Sequence, residues 1–239
     1  MSNTGIKYSK QLVLFIDVLG TKNNCDEQLL RTFHQAYKNA IYDVSFDNSF
    51  QNNDNLKIAI FSDNVAIVDN CENYDLKEKQ NVLHNMILFA ITFQNDLLRE
   101  GYLTRGGIAY GDCFIDNVMI MGQALIDAYM LESKLALYPR IIVSESLIKD
   151  FKFLEYHERY LSKDKDEKYF VDYLLYTSKN ESGFLARNYR FVKENIEKKR
   201  EEPKKQNVNK ISIVDKYIWV KEKLDKYCKL GEQNERNER

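Results

Sequence analysis

One stretch constrains the chain more than any other: Leu12-Val13-Leu14-Phe15-Ile16-Asp17-Val18-Leu19-Gly20-Thr21. Five apolar residues run into an aspartate, and a glycine follows shortly after. A short continuous apolar run bounded by turn residues reads as a buried strand. A carboxylate at the end of such a strand needs a metal, a cation or backbone donors, because a buried unpaired carboxylate costs several kcal/mol. A second stretch has the same character, Lys57-Ile58-Ala59-Ile60-Phe61-Ser62-Asp63-Asn64-Val65-Ala66-Ile67-Val68. Two apolar runs flank Ser62-Asp63-Asn64, the composition of a tight turn between paired strands. Asp63 falls at the tip of that hairpin. The two patterns predict that Asp17 and Asp63 meet in space and hold one or two divalent ions. The plainer readings are a capping aspartate at position 17 and an ordinary turn residue at 63.

Between these strands, Leu29, Leu30, Phe33, Ala36, Tyr37, Ala40 and Ile41 follow helical spacing, from Asp26 as N-cap to about Tyr42. Residues 45–55 read as a loop. A second amphipathic helix covers about 75–99, with Gly101 placed to stop it. Leu103-Thr104-Arg105-Gly106-Gly107-Ile108-Ala109-Tyr110-Gly111-Asp112 reads as a strand whose glycines admit a close backbone or ligand. Val118–Met121 is expected to partner it. Gly122 opens a third helix to about 137, and Tyr138–Ser144 returns as a strand.

This order predicts an α+β fold, a sheet with helices on one face. The expected division is a core at 11–144 and a C-terminal extension at 145–239. The extension reads as strands at Leu154–Leu161 and Tyr169–Tyr176, helix from about Gly183, a last helix at about 209–228, and a frayed polar tail. Glu132 and Arg140 are expected to pair across the helix-to-strand return.

Composition narrows the partners. A net charge of −1 argues against a general nucleic-acid binder. No apolar run approaches the roughly 20 residues of a membrane span. The polar N-terminus carries no secretory h-region. Four cysteines without a CxxC pair suit a reducing cytoplasm. The three histidines have no zinc-ligand spacing.

Three pieces, in order, resemble the class III nucleotidyl cyclase catalytic domain: Phe15-Ile16-Asp17-Val18-Leu19-Gly20, Phe61-Ser62-Asp63-Asn64, and Arg105-Gly106-Gly107-Ile108-Ala109-Tyr110-Gly111 through Gly122 to Leu131-Glu132. The resemblance covers roughly 11–144 and implies a ferredoxin-like βαββαβ core. It implies two Mg²⁺ or Mn²⁺ ions held by Asp17, Asp63 and the Val18 carbonyl against a nucleoside triphosphate. It places the β- and γ-phosphates on the N–H groups around Leu19, Gly20 and Thr21, at the entry to the first helix, and on Arg105. It further implies conversion of the triphosphate to a cyclic nucleotide and pyrophosphate by a homodimer. For Arg105, a structural ion pair is the competing reading.

The departures from the family pattern are specific. Ile126 and Met130 stand where the family places an asparagine and an arginine. Ala59 and Met119 stand at the purine-reading lysine and acid. That pattern is compatible with a pyrimidine substrate, since bacterial uridylate and cytidylate cyclases of antiviral signalling are divergent relatives. It is equally compatible with a nucleotide-binding module that does not turn its ligand over. A third reading is an interaction protein whose carboxylates only cap turns.

Overall fold

The computed structural model describes residues 8–20, 27–45, 55–116, 118–180, 183–201 and 212–237. The first strand, β1 (Ser9–Leu19), is the apolar run itself. Its alternate residues face two different cores, as a strand's period of two requires. Leu12, Leu14, Ile16 and Val18 enter the main core, and Val13 and Phe15 enter a smaller one. Both faces are therefore covered, which is why the run is continuously apolar.

The remaining core elements are α1 (Glu27–Ser45), β2 (Leu56–Phe61), β3 (Asn64–Asn70), α2 (Leu76–Arg99), β4 (Leu103–Ile115), β5 (Ile120–Gly122), α3 (Gln123–Met130) and β6 (Ile141–Val143). A π-helical segment, Leu131–Leu135, continues α3. The predicted α+β class and element order are those observed. Among the described residues the sheet has eight strands, in the order β2-β3-β1-β4-β6-β8-β7, where β7 is Leu161–Lys163 and β8 is Tyr169–Val171, with β5 paired to β4. The β2-β3-β1-β4 portion is antiparallel throughout, and β4 and β6 run parallel.

The helices are not all on one face. α1 and α2 pack into the main core. Ala124 and Ala128 of α3 pack instead with Val13, Phe15, Ala66, Val68 and Ala109 on the opposite face. The reason lies in β4. A Cβ on Gly106 would run into the Phe15 carbonyl, and one on Gly107 would run into the Ala128 carbonyl and come within 2.6 Å of Leu131 Cβ. Gly107 lets α3 and its π extension lie directly on the strand backbone, while Gly106 lets β1 and β6 close on the other side. Gly107→Ala is expected to cost at least about 1–3 kcal/mol by overpacking, read as a lower denaturant midpoint at unchanged slope. An unchanged midpoint would mean that the helix does not rest on Gly107.

Local chemistry sets several boundaries. Asp75 and Glu78 form a reciprocal capping box at the start of α2, with both bonds at 2.8 Å. Gly101, after its end, takes a φ of +92°. The Asp26 cap, Thr21, Cys25 and most of the expected 45–55 loop lie outside the described residues.

Beyond β6 come α4 (Glu145–Asp150), α5 (Leu154–His157), β7 (Leu161–Lys163), β8 (Tyr169–Val171), α6 (Tyr173–Asn180), α7 (Phe184–Glu201) and α8 (Ile213–Asn237). The two expected strands are mostly helix. Leu154–Tyr160 forms α5 and a 3₁₀ turn, and β8 stops where Asp172 caps α6, its carboxylate accepting from Leu175 N–H at 3.1 Å. The expected frayed tail is helical to Asn237. The β7–β8 hairpin continues the core sheet, with Phe170 opposite Ile142. Val192, Tyr217, Val220 and Leu224 of α7 and α8 enter the main core. Tyr227 donates to the other oxygen of buried Asp172, tying α8 to the end of β8.

Candidate functional site

Register brings the predicted residues to one end of the sheet. Asp17 stands between Asn64 on β3 and Arg105 on β4. The β2–β3 turn is two residues long, Ser62 and Asp63, with Ser62 at a φ of +56°. It folds back onto β1 through a bond from Val18 N–H to the Asp63 carbonyl at 3.1 Å. Asn64 Nδ2 donates to Asp63 Oδ1 at 3.1 Å. Asp17 and Asp63 are thus on neighbouring strand ends, near enough for the charge of one to act on the other.

Arg105 reaches two carboxylates. Its Nε lies 3.4 Å from Asp17 Oδ2 and 2.6 Å from Glu132 Oε1. Glu132 is on the π segment, with a side chain only 3% exposed. π turns occur frequently at functional sites. The expected Glu132–Arg140 pair does not form. Arg140, itself buried, pairs with Asp164 and Asp166 on the turn between β7 and β8. Glu132 is the site residue that sequence reasoning misplaced. The signal that could have found it is the Gly106-Gly107 pair, which marks where the helix must touch β4.

The electrostatics follow from crowding. Burial pushes the Asp17 carboxyl above its ordinary value; Arg105 opposes this and Asp63 adds to it. Burial also pushes Glu132 up to about 7, against the pull of Arg105 and with a further push from Asp17. Lys216, on the first turn of α8, draws both carboxyls down. Its neighbour Tyr217 donates to the Gly101 carbonyl at 2.5 Å, at the turn into β4. The extension therefore reaches the site, which no sequence pattern indicated.

Other predicted residues fall less neatly. Leu19 is the last residue of β1, in register with Leu103, and Gly20 follows at a φ of +91° with open space where a Cβ would be. The described part of α1 begins at Glu27, and residues 21–26, which join it to Gly20, lie outside the described residues. Thr21 lies outside the described residues. Ala59 packs against the smaller core. Met119, Ile126 and Met130 are all exposed. Phe15 contacts Phe61 and Tyr129, with ring centroids 6.3 and 5.8 Å away. Those two rings are half exposed, and Ile126 and Met130 are exposed on the same helix as Tyr129.

Among the described residues, no group of three or more His, Cys, Asp or Glu side chains is gathered for a metal ion. The donor set at the strand ends is nonetheless of the right kind. Asp17, Asp63 and the Val18 carbonyl offer hard oxygens only. A Mg²⁺-type ion is commonly held by one or two carboxylates together with substrate phosphates, without an all-protein cage.

No family model and no curated protein matches the chain. Solved structures similar to it include the adenylyl cyclase CyaB from P. aeruginosa, at 19% identity over 69% of this chain and 94% of that one, with a TM-score of 0.47. A monomeric guanylyl cyclase domain of the RhoGC fusion protein from the aquatic fungus Blastocladiella emersonii is 13% identical over 69% and 95%, with a TM-score of 0.48. An adenylate/guanylate cyclase/hydrolase from Silicibacter pomeroyi is 16% identical over 69% and 95%, with a TM-score of 0.46. The chain's own residues define a mixed α+β sheet with an acidic and basic cluster at its strand ends. Among the described residues, no helix is long and apolar enough to cross a membrane.

Proposed function

We propose that this chain is a divergent, metal-dependent nucleotidyl cyclase, which converts a nucleoside triphosphate to a cyclic nucleotide and pyrophosphate. The observation that carries the reading is the convergence of Asp17, Asp63 and Arg105 on adjacent strand ends. Two carboxylates beside a guanidinium make an oxygen-donor site next to an anion site. Asp17, Asp63 and the Val18 carbonyl would hold two Mg²⁺ or Mn²⁺ ions. When bound, such ions activate an attacking hydroxyl and offset the charge that develops on the phosphates.

The protein's own part is placement. Arg105 holds the phosphate tail. The turn at Ser62–Asp63, bonded to Val18, fixes the separation of the two carboxylates. The departure at Ala59 and Met119 removes the charged purine contacts and suits a pyrimidine base. Phe61, Ile126, Tyr129 and Met130 form an exposed apolar band, anchored where Phe61 and Tyr129 both touch Phe15, two positions before Asp17. In this reading a second copy of the chain covers that band and closes the ligand between two subunits.

The alternative is a nucleotide-binding module without turnover. It draws support from Ile126 and Met130, which place apolar side chains where transition-state charge would need donors. The test is incubation with each of the four ribonucleoside triphosphates and Mn²⁺ or Mg²⁺, with mass spectrometry of the products. A cyclic nucleotide and pyrophosphate, absent in Asp63→Ala, are the expected result. Binding without product would select the module. No binding would remove both readings. Size measured against concentration checks the dimer, and Ile126→Asp is expected to leave a monomer.

A further inference from the structure

Arg105 is shared, and the sharing is unequal. Its Nε is 2.6 Å from Glu132 and 3.4 Å from Asp17. The Arg105 side chain is one-quarter exposed, whereas that of Glu132 is 3% exposed. Glu132 therefore cannot serve a ligand from solvent directly, while Arg105 can. Glu132 Oε1 is buried and, despite its short distance to Arg105, makes no well-aligned hydrogen bond. Its carboxyl also has a hydrogen bond with Asp17, a second acid that pushes it up and does not favour its charge, so burying the carboxylate here is costly. Core packing does not demand it, since a leucine or methionine would fill the same volume. The chain also devotes local geometry to placing this group. The side-chain-free Gly107 lets Leu131 rest on β4, and the π turn carries Glu132 on the next residue.

We propose that Glu132 is the positioning residue for Arg105, holding its guanidinium toward the phosphate tail once Asp17 is engaged with a divalent ion. The inference rests on the reading above and assigns a part to a residue outside the carboxylate pair. With Asp17 turned to a cation, Arg105 would lose one of its two carboxylates. Glu132 keeps the second contact, at the shorter distance and in a poorly screened setting. The guanidinium then stays on a fixed stem, with its terminal nitrogens as the donors for phosphate oxygens.

The test uses inorganic tripolyphosphate with Mn²⁺ as the probe, which isolates the phosphate contacts from any base, and calorimetry of the full chain. Glu132→Gln is expected to weaken binding about tenfold, and Arg105→Met by a similar factor. The double variant is expected to be no weaker than Arg105→Met alone, because one residue acts through the other. Additive losses would overturn the proposal, since they mean independent roles. Unchanged or tighter binding by Glu132→Gln would also overturn it, the latter showing Glu132 to compete with phosphate for Arg105. Thermal melts accompany each variant. If Glu132→Gln is too unstable to titrate, Glu132→Asp, with its charge on a stem one methylene shorter, is expected to weaken binding several-fold, and full affinity there overturns the idea. The two readings fail separately. Turnover of a triphosphate by wild-type protein that ignores tripolyphosphate would overturn this inference and leave the cyclase. Coupled tripolyphosphate binding without turnover would leave the inference and remove the cyclase.

Discussion

Asp17→Asn is expected to lower triphosphate turnover by about 1,000-fold or more, equivalent to ~4 kcal/mol of transition-state stabilisation, while the metal-free protein melts no earlier than wild type. The two halves of this result come from one fact. Burial raises the Asp17 carboxyl above its ordinary value, so its ionised form is held in the folded protein at a cost. Asparagine fills the same space without the charge. Arg105 keeps Glu132 as its partner at 2.6 Å, so no buried cation is stranded. A group maintained against stability at a strand end is the signature of a functional residue. A turn-capping aspartate behaves oppositely: its loss lowers the melting temperature and leaves turnover intact. Melting curves and product formation, measured on the same preparations, separate the two.

The largest expected effect on stability lies far from that site, at Asp164. Its carboxylate accepts from Arg140 Nη1 at 2.9 Å, Trp219 Nε1 at 2.9 Å and Lys223 Nζ at 3.2 Å. It therefore joins the return into β6, the turn between β7 and β8, and α8. Arg140 is 1% exposed, and its other partner, Asp166, is nearly half exposed. Asp164→Ala leaves a buried guanidinium leaning on a screened carboxylate. Breaking a buried pair from one side costs about 3–5 kcal/mol. At about 2–4 °C per kcal/mol for a chain of this size, the melting temperature should fall by roughly 6–20 °C. Replacing both partners, Arg140→Met with Asp164→Leu, should cost less, because the buried guanidinium goes with its partner, and the charges that lose a contact, Lys223 and Asp166, are nearer solvent. A full loss in the double variant would mean that the contacts to Trp219 and Lys223 carry the stability instead.

The same cluster sets an acid limit. Burial works to raise the Asp164 carboxyl, but the Trp219 bond, the Lys165 N–H and Lys223 outweigh it, and the net shift is downward. Asp166 is lowered chiefly by its bond from Arg140. A carboxyl depressed on folding contributes stability that is complete above its ordinary value, near pH 4, and is lost as pH falls through the folded value. Wild-type protein should therefore lose stability below about pH 4, and Asp164→Ala should lose less over that interval.

Local patterns carried much of this architecture. The apolar run ending at Asp17, the Ser62–Asp63 turn and the stop at Gly101 each depend on a few consecutive residues, and each is found where the chain alone places it. The order of core elements along the chain followed because each declares its own period. The errors share a cause. Leu154–Tyr160 and Tyr173–Tyr176 are short, and at that length a strand and a helix look alike; for the second, Asp172 as a cap and the contact of Asn95 on α2 with Tyr173 decide for helix. Glu132 and Arg140 are eight positions apart and of opposite charge, which invited pairing. The structure instead gives Arg140 partners 24 and 26 residues away, and Glu132 a partner on another strand.

The sequence by itself determined the core elements up to β6, the strand-end position of Asp17 and the hairpin-tip position of Asp63, because strand period and turn chemistry are properties of neighbouring residues. Only the tertiary structure decided that Glu132 shares Arg105 with Asp17, that α3 crosses to the second face of the sheet, and that α8 brings Lys216 toward the same carboxylates. Those depend on which backbones can touch. Here, contact is permitted at Gly106 and Gly107, where side chains are missing, and no periodicity records what will come to fill that space.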